Sequence, residues 1–439
     1  MNLVDKRVSV VGLKRSGSAA VSLLKKRGAF VFGSDTDRTL DVSSLDIPHE
    51  LGKNSQRILD SNLIVISPGV SLQHPVLIEA KNRGIPVIGE LELASWFVHS
   101  PIIAVTGTNG KTTTCLLIDS ITKTASMDSV VAGNIYPGTP ISAVVDKISP
   151  QTVVIVEVSS FQLETIEKFR PHVAVVLNIT PDHLDRHLSM EEYKKMKARI
   201  FENQEETDFA ILNFKDENVR EIYNGARSKA VYFSISNDRE ADVYAEDGII
   251  WYGGKRLFPV PTIDIPLEDI LAGIAVSKIL GISNRLIKKG LLSFKGAPHR
   301  MENIGEINGR TFINNSMCTN PSSFVKSLDV LREKPILIMG GKPKKIDIEP
   351  ILEAIAEKVK FCVVMGEVSD VIIKGLEKRR HPDFYCARNM QDAVQKAYSL
   401  STPGDVIFLS PGFASFDMFK DFEERGNAFK KEVRNLPEE

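Results

Sequence analysis

The stretch that most constrains how this chain folds is residues 102–114, which read IIAVTGTNGKTTT. A β-rich apolar run breaks into a loop bracketed by Gly107 and Gly110, and a predicted helix follows from Lys111. Backbone N–H groups freed by the two glycines can converge on phosphate oxygens at the positive end of the helix dipole. Lys111 adds a point charge, and Thr112 adds a hydroxyl that can bind magnesium. The spacing departs from the usual G-x-x-x-x-G-K-[ST] pattern, because Val105 stands at the position of the first glycine. The stretch predicts a strand, a phosphate loop and a helix.

Length and composition limit the class of protein. A chain of 439 residues exceeds the size at which a single core stops growing, so two or three domains are expected. The balance of 55 Lys and Arg against 56 Asp and Glu removes any global electrostatic argument for binding nucleic acid or an anionic membrane. Widely spaced cysteines and a first strand without a long apolar stretch before it predict a cytoplasmic protein without a membrane span.

Strands and helices alternate along the chain, and two short proline-containing segments interrupt the pattern as linkers would. A hairpin signal, Gly253-Gly254, predicts antiparallel strands in the middle of the chain. The pattern predicts an α/β protein of three domains in series. These are a Rossmann-like domain at 1–97, a central P-loop ATPase-type α/β domain with a small antiparallel sheet at 98–298, and a Rossmann-like α/β domain at 299–439.

The N-terminal strands end in residues that can meet a ligand. Asp35 follows the glycine turn by about 20 residues, where an acid of a dinucleotide fold would meet a ribose hydroxyl. The spacing from Gly12 to Gly17 is G-x-x-x-x-G rather than G-x-G-x-x-G, however. NAD, another nucleotide-type ligand and plain structural turns all stay open at this point.

Polar residues also follow two buried strands of the central domain. Glu157 comes directly after one strand, where a carboxylate suits either a magnesium ligand or a helix cap. Asp182, His183 and Asp185 follow the next strand, where they can either ligate a cation or cap a helix. Lys197 shares a helical face with aromatic residues. That pattern is typical of a packed stem whose amine reaches water, so a catalytic role is the less favoured alternative.

Five motifs in order resemble those of the Mur ligases. They are TGTNGKTT in the phosphate loop, SSFQL after Glu157, NITPDHLD from Asn178, HRME from His299 and SPGFASFDMF from Ser410. The resemblance covers all three domains, and FEERG from Phe422 is similar to the D-glutamate-adding members. It implies ATP-dependent amide synthesis in the cytoplasm, in which D-glutamate joins UDP-N-acetylmuramoyl-L-alanine through an acyl phosphate during assembly of the peptidoglycan precursor.

The resemblance also implies ATP, two Mg²⁺ ions, a carbamylated Lys197, small-molecule substrates and a monomer. The catalytic residues it implies are Lys111, Glu157, His183 and Lys197, and the metal ligands are Thr112, Glu157, His183 and Lys197. The ATP-binding residues are Gly107, Thr108, Asn109, Gly110, Lys111, Thr112, Thr113, Asp269, Arg300 and Asn315. The UDP-sugar-binding residues are Arg15, Ser16, Asp35, Thr36, Gly69 and Asn134. The amino-acid-binding residues are Thr319, Lys344, Ser415 and Phe422.

Some positions depart from the family pattern. The family's Asn-Asp-Ser-Lys reads Asn-Asn-Ser-Met, which puts Asn315 and Met317 where an acid and a base are usual. Asp269 stands where an asparagine near the adenine is usual. These departures leave two other hypotheses open: the same chemistry with another acceptor such as L-glutamate, or a regulator that holds the UDP-sugar without catalysis. Folylpolyglutamate synthesis shares the logic of the phosphate loop, but the N-terminal nucleotide domain and the motif around Ser415 argue against it.

Overall fold

The structure is a computed structural model in which the chain forms two compact units, residues 1–294 and 295–439. Two of the predicted site residues, His183 and Lys344, lie outside the residues that it describes. Among the described residues, no helix has both the length and the apolar character needed to cross a membrane. The described residues are 2–135, 138–182, 184–263, 265–343, 347–379 and 383–437.

A parallel five-stranded sheet opens the first unit. Its elements are β1 Arg7–Val11, α1 Arg15–Lys26, β2 Phe30–Asp35, β3 His49–Leu51, β4 Leu63–Ile66, α2 Pro75–Asn82, β5 Val87–Gly89 and α3 Glu90–Ser95, with 3₁₀ turns at Ser43–Leu45 and Gln56–Leu59. The strand order is β3-β2-β1-β4-β5, so the order reverses between β1 and β4. Ligands of such sheets bind outside the carboxyl ends of the strands at this switch point. The predicted Rossmann-like arrangement is confirmed.

A second, nine-stranded sheet carries the phosphate loop. Its elements are β6 Ile102–Thr106, α4 Lys111–Thr124, β7 Ser129–Gly133, α5 Ile141–Val144, β8 Val153–Glu157, α6 Ser160–Leu163, β9 Val173–Val176, α7 Leu184–His187, α8 Met190–Ala198, β10 Phe209–Asn213, α9 Glu217–Tyr223, β11 Lys229–Ser234, β12 Val243–Glu246, β13 Ile249–Tyr252, β14 Lys255–Pro259, α10 Leu267–Ile279 and α11 Asn284–Ser293, with 3₁₀ turns at Val145–Lys147 and Arg199–Phe201.

The strand order of this sheet is β14-β13-β12-β11-β10-β9-β6-β8-β7. Strand β6 therefore lies between β8 and β9, and the residues that follow these three strands meet at one edge. The hairpin strands β12 to β14 are antiparallel as expected. They do not form a separate small sheet, because β12 pairs in parallel with β11 and extends the main sheet.

The second unit is a six-stranded sheet of order β15-β16-β20-β17-β18-β19, in which only the β15–β16 pair is antiparallel among the described residues. Polar residues after β16 and β20 fall at neighbouring strand ends. The elements are β15 Glu302–Ile307, β16 Arg310–Asn314, α12 Pro321–Asp329, β17 Ile336–Gly340, α13 Glu349–Lys358, β18 Phe361–Met365, α14 Ser369–Lys378, β19 Phe384–Ala387, α15 Met390–Leu400, β20 Val406–Gly412 and α16 Phe422–Arg434.

A buried carboxylate joins the two sheets of the first unit. Glu92 of α3 is fully buried. Its carboxylate accepts hydrogen bonds from the backbone N–H groups of Glu167, Lys168 and Phe169, at 2.9, 2.9 and 2.8 Å. It also accepts one from Trp96 Nε1 at 2.7 Å. Because a buried charge is stable only when it is well hydrogen-bonded, these donors fix how α3 meets the loop before β9.

We expect Glu92→Gln to lower the free energy of unfolding of the first unit by about 2 kcal/mol, because an amide NH₂ cannot accept these bonds and leaves buried donors unpaired. Urea denaturation followed by circular dichroism measures the change. Glu191→Gln is the control, since the Glu191 side chain is 75% exposed. A loss for Glu92→Gln no larger than that of the control would contradict this role.

Candidate active site

The phosphate loop joins β6 to α4 and depends on two glycines. Gly107 and Gly110 have φ angles of +150° and +85°, which side chains disfavour. A Cβ atom at Gly110 would also lie 2.3 Å from Oδ1 of Asp269. Both the backbone conformation and the space behind the loop therefore require glycine at position 110.

Asn178, just after β9, fixes the shape of the loop and was not predicted as a site residue. Its Oδ1 atom accepts hydrogen bonds from the N–H groups of Thr108 at 3.1 Å and Asn109 at 2.8 Å. The amides of the first turn of α4 have no acceptor within the helix, so they are the ones suited to a phosphate. The signal that could have identified Asn178 is its position just after a buried parallel strand.

Lys111 begins α4, and its amine lies over the loop. Its Nζ atom donates hydrogen bonds to the carbonyl oxygens of Gly107 at 2.9 Å and Thr108 at 2.8 Å. The ammonium charge and the amides at the helix N-terminus thus lie together. This arrangement suits the phosphates of a nucleotide.

Glu157 ends β8 and is 3% exposed. Its Oε2 atom accepts a hydrogen bond from Thr112 Oγ1 at 2.6 Å, and its Oε1 atom accepts one from Asn134 Nδ2 at 3.3 Å. The alternative that Glu157 caps the next helix is wrong, because Ser159 is the N-cap of α6 and forms a capping box with Gln162. The carboxylate of Glu157 instead faces the first turn of the phosphate-loop helix.

Thr112 and Glu157 fit a magnesium ion by their chemistry. A hydroxyl and a carboxylate are oxygen ligands of the kind that Mg²⁺ takes, and Thr112 Oγ1 lies 2.6 Å from Glu157 Oε2. The predicted ligand His183 lies outside the described residues. Within the described part of the chain, there is no group of three or more His, Cys, Asp or Glu that could hold a metal.

Lys197 of α8 does not extend to solvent, so the favoured alternative of a snorkelling lysine is wrong. The residue is 1% exposed. Its Nζ atom donates to Thr106 Oγ1 at 3.2 Å and to the carbonyl oxygen of Gly107 at 3.0 Å, and it lies 4.9 Å from the ring centre of Tyr193. Burial and, next, the charge of Lys111 hold the pKa of Lys197 well below its ordinary value. The amine therefore lies against the phosphate loop with an increased tendency to be neutral.

The residues predicted to hold a UDP-sugar lie mostly at the switch point of the N-terminal sheet. Arg15 and Ser16 begin α1, Thr36 follows β2, and Gly69 follows β4. Thr36 and Gly69 are exposed. Asn134 follows β7 and contacts the active-site carboxylate described above, and the carbonyl oxygen of the next residue, Ile135, accepts a hydrogen bond from Arg15 at 3.3 Å.

Asp35 binds the glycine turn of its own domain. Its carboxylate accepts hydrogen bonds from the N–H groups of Leu13 at 2.6 Å and Asp37 at 2.8 Å. The residue is 6% exposed. Asp35 therefore holds the turn after β1, and its contact with a ribose stays a prediction.

Three predicted amino-acid-binding residues gather at one edge of the second unit. Thr319 follows β16, Ser415 follows β20, and Phe422 begins α16. The carbonyl oxygen of Phe422 accepts a hydrogen bond from Ser316 Oγ at 2.7 Å, which ties α16 to the segment after β16. The fourth residue, Lys344, lies outside the described residues.

The departures in the second unit both have polar neighbours. Asn315 is 5% exposed, and its Oδ1 accepts from the N–H of Met301 at 3.2 Å while its Nδ2 donates to Ser410 Oγ at 3.3 Å. The Sδ atom of Met317 lies 3.6 Å from an Nη atom of Arg300. Nucleotide contacts of Arg300 and Asn315 stay predictions.

Asp269 lies directly behind the phosphate loop rather than on the surface. It is 2% exposed, and its Oδ1 accepts a hydrogen bond from Thr114 Oγ1 at 3.1 Å. The proximity of its carboxyl group to Gly110, described above, places an acidic side chain beside the proposed phosphate site. Its predicted contact with adenine is untested.

A Rossmann-like sheet followed by a phosphate-loop sheet, with a lysine amine and a threonine–carboxylate pair at the loop, defines a class of nucleotide-dependent enzymes. The chain matches three family descriptions in order: "Mur ligase MurD-like, N-terminal domain" at residues 6–89, "Mur ligase middle domain" at 105–267 and "Mur ligase, glutamate ligase domain" at 299–413. It belongs to the Mur ligase family, as the resemblance predicted.

Full-length relatives support this membership. The chain is 41% identical over 447 residues to the UDP-N-acetylmuramoylalanine–D-glutamate ligase of Pelotomaculum thermopropionicum, with 98% of each chain covered. It is 38% identical over 450 residues to the ligase of the same name from Caldanaerobacter subterraneus, with 99% of this chain and 100% of the relative covered.

Solved structures support the fold alone. The UDP-N-acetylmuramate-alanine ligase MurC of Thermotoga maritima has a TM-score of 0.62 at 19% identity, covering 98% of this chain and 99% of the other. MurF of Acinetobacter baumannii has a TM-score of 0.61 at 17% identity, covering 98% and 94%.

We expect Asp269→Asn to tighten binding of Mg²⁺-ATP by about fivefold, because an amide behind the phosphate loop cannot carry the negative charge that an acid can, while Oδ1 still accepts from Thr114. Titration calorimetry measures the affinity. Asp119→Asn, farther along the same helix, is the control and should leave it unchanged. Unchanged or weaker binding by Asp269→Asn would show that the carboxylate does not oppose the phosphates.

Proposed function

We propose that this protein uses ATP to join D-glutamate to UDP-N-acetylmuramoyl-L-alanine, releasing ADP and phosphate, in peptidoglycan precursor synthesis. The observation that carries this proposal is the meeting of Lys111, the Thr112–Glu157 pair and Lys197 at one loop. Similarity over nearly the whole chain to D-glutamate ligases supports the choice of substrates.

The first step is phosphoryl transfer. The alanyl carboxylate oxygen attacks the γ-phosphorus of ATP, the bond to the β–γ bridging oxygen breaks, and ADP leaves an acyl phosphate behind. Such transfer needs positioning and neutralisation of charge more than covalent chemistry. Lys111 and the first-turn amides of α4 meet the phosphate charge. Thr112 and Glu157 would hold a magnesium ion, which would neutralise phosphate charge when bound.

The second step forms the amide. The amine of glutamate attacks the acyl carbon, the carbon–oxygen bond to phosphate breaks, and the amine loses a proton as phosphate leaves. The acceptor must therefore present a neutral amine with its carboxylates held. Thr319, Ser415 and Phe422 gather at one edge of the second unit, and we assign the acceptor to them together with Lys344.

We further propose that Lys197 is carbamylated and shares a second magnesium ion with His183. A neutral amine attacks carbon dioxide, a C–N bond forms, and the nitrogen releases a proton to give a carbamate with two oxygens. The buried position of Lys197 against Gly107 supports this assignment, because the modification turns a buried amine beside the phosphate loop into a group with oxygen ligands.

The remaining assignments concern the whole chain. We propose a cytoplasmic monomer with domains at residues 1–97, 98–298 and 299–439. The family matches at 6–89, 105–267 and 299–413 are compatible with these boundaries.

The purified protein should release phosphate from Mg²⁺-ATP only when both UDP-N-acetylmuramoyl-L-alanine and D-glutamate are present. A coupled phosphate assay measures this. Lys111→Ala should lower kcat/KM by at least about a hundredfold, because it removes a charge that faces the transferred phosphoryl group. Lys123→Ala, whose side chain is 63% exposed on the same helix, should behave as wild type. Wild-type protein that releases no phosphate with any amino acid would overturn the proposal.

A second candidate is the same reaction with L-glutamate, which the neutral Asn315 and Met317 favour. Substituting one enantiomer for the other in the phosphate assay decides between them. Stabilisation against heat by the UDP-sugar without phosphate release would instead indicate a binding protein without catalysis. Turnover that depends on tetrahydrofolate would indicate folylpolyglutamate synthesis.

Protein incubated with ¹³C-bicarbonate should show a carbamate carbon resonance that Lys197→Ala abolishes and Lys195→Ala retains. Lys195 is exposed on the same helix and serves as the control. We also expect Lys197→Ala to lower kcat by about a hundredfold, since it removes the carbamate oxygens that would hold the second magnesium ion. A fully active protein without the resonance would contradict carbamylation and leave the ligase reaction intact.

A further inference from the structure

Arg186 connects the two sheets of the first unit, and no role has yet been assigned to it. It belongs to α7, three residues after His183. Its two Nη atoms donate hydrogen bonds to the carbonyl oxygens of Pro68 at 3.0 Å and Val70 at 3.3 Å. These carbonyls flank Gly69 in the loop after β4. One guanidinium thus binds both sides of a predicted UDP-sugar residue.

The guanidinium is itself held in place. It forms a two-point contact with Glu164, in which Nη2 lies 2.8 Å from Oε2 and Nε lies 3.3 Å from Oε1. The central guanidinium carbon, Cζ, lies 4.4 Å from the ring centre of Phe161. A planar group that is stacked and paired at two points has little freedom, so its contacts with the loop are directional.

The loop that Arg186 binds also supports the turn after β1. Ser67 Oγ donates to the carbonyl oxygen of Gly12 at 2.7 Å. Gly12 has a φ of +85°, and a Cβ there would lie 2.9 Å from Ser67 Cβ. Gly69 differs, because a Cβ there would meet no atom within 4 Å in the described part of the chain. A movement of the loop would therefore move the turn, whereas Gly69 stays open to a ligand.

We propose that Arg186 is a positioning residue that sets the distance between the UDP-binding loop and the metal-binding side of the phosphate site. This inference rests on the proposed function. A substrate held by UDP at one sheet must present its carboxylate to ATP at the next, and misplacement by about 1 Å costs about a hundredfold in rate. Arg186 provides the required link, because Phe161 of α6 and Glu164 just after it hold the guanidinium, and α6 begins three residues after Glu157.

Arg186→Lys keeps the charge but loses the fork that serves two carbonyls and a carboxylate. Because the reacting carboxylate is misplaced, we expect kcat to fall and the KM for UDP-N-acetylmuramoyl-L-alanine to rise, each by about tenfold, and the KM values for ATP and D-glutamate to change less than twofold. Glu164→Gln, which loosens the guanidinium, should raise the same KM by a smaller factor. Steady-state kinetics and calorimetric binding of UDP-N-acetylmuramoyl-L-alanine measure these effects.

Arg170→Lys is the matched control. Arg170 also pairs with carboxylates in the first unit, those of Glu205 at 2.8 Å and Asp208 at 2.7 Å. It should lose thermal stability comparably while leaving every KM within twofold. Unchanged UDP-sugar binding by Arg186→Lys, or an equal effect of Arg170→Lys, would overturn the inference. Failure of the wild-type protein to bind UDP-N-acetylmuramoyl-L-alanine or release phosphate would instead overturn the proposed function.

Discussion

Two buried ionisable groups beside one strand constrain the whole active site. Glu157 and Lys197 are 3% and 1% exposed, and both contact the segment that follows β6. Taking such groups out of water is costly unless polar partners replace the water. Glu157 gains the hydroxyl of Thr112, and Lys197 gains the carbonyl oxygen of Gly107. The loop conformation that offers these partners is therefore coupled to the burial of both groups.

The sheet topology determines which partners are available. Because β6 lies between β8 and β9, the residues after β8 and β9 reach the loop from its two sides. Glu157 arrives from β8 and contacts the helix side, while Asn178 arrives from β9 and orders the amides before Lys111. Ionisable groups with displaced pKa values concentrate at functional sites. Lys197 follows that rule, because its pKa is lowered and its amine contacts Gly107 just after β6, where the phosphate loop begins.

Much of the fold and part of the site could be predicted from the sequence. Alternating strands and helices indicate the α/β class, and the phosphate loop carries a local signature that does not depend on tertiary contacts. The sequence also contained the information that decides between a magnesium ligand and a helix cap for Glu157, because Ser159 and Gln162 form the S-x-x-Q capping pattern of the next helix. The burial of the Lys197 amine could not be predicted, because helical periodicity places a side chain on one face of a helix without showing what covers its end. The contacts of Asn178 and the joining of β12 to the main sheet likewise depend on residues distant in the chain.

The departures from the family pattern can be understood through their local partners. Asn315 replaces an acid, yet both ends of its amide are hydrogen-bonded in the interior of the second unit. Met317 replaces a base and sets a thioether, rather than a second cation, against Arg300. Losing the acid and the base together leaves the sum of those two charges unchanged. Asp269 differs, since it puts an acid behind the loop, and Gly110 is needed there in part because the carboxyl group occupies the space that a Cβ would take. The phosphate-binding groups, Lys111, Thr112 and Glu157, lie outside all of these changes.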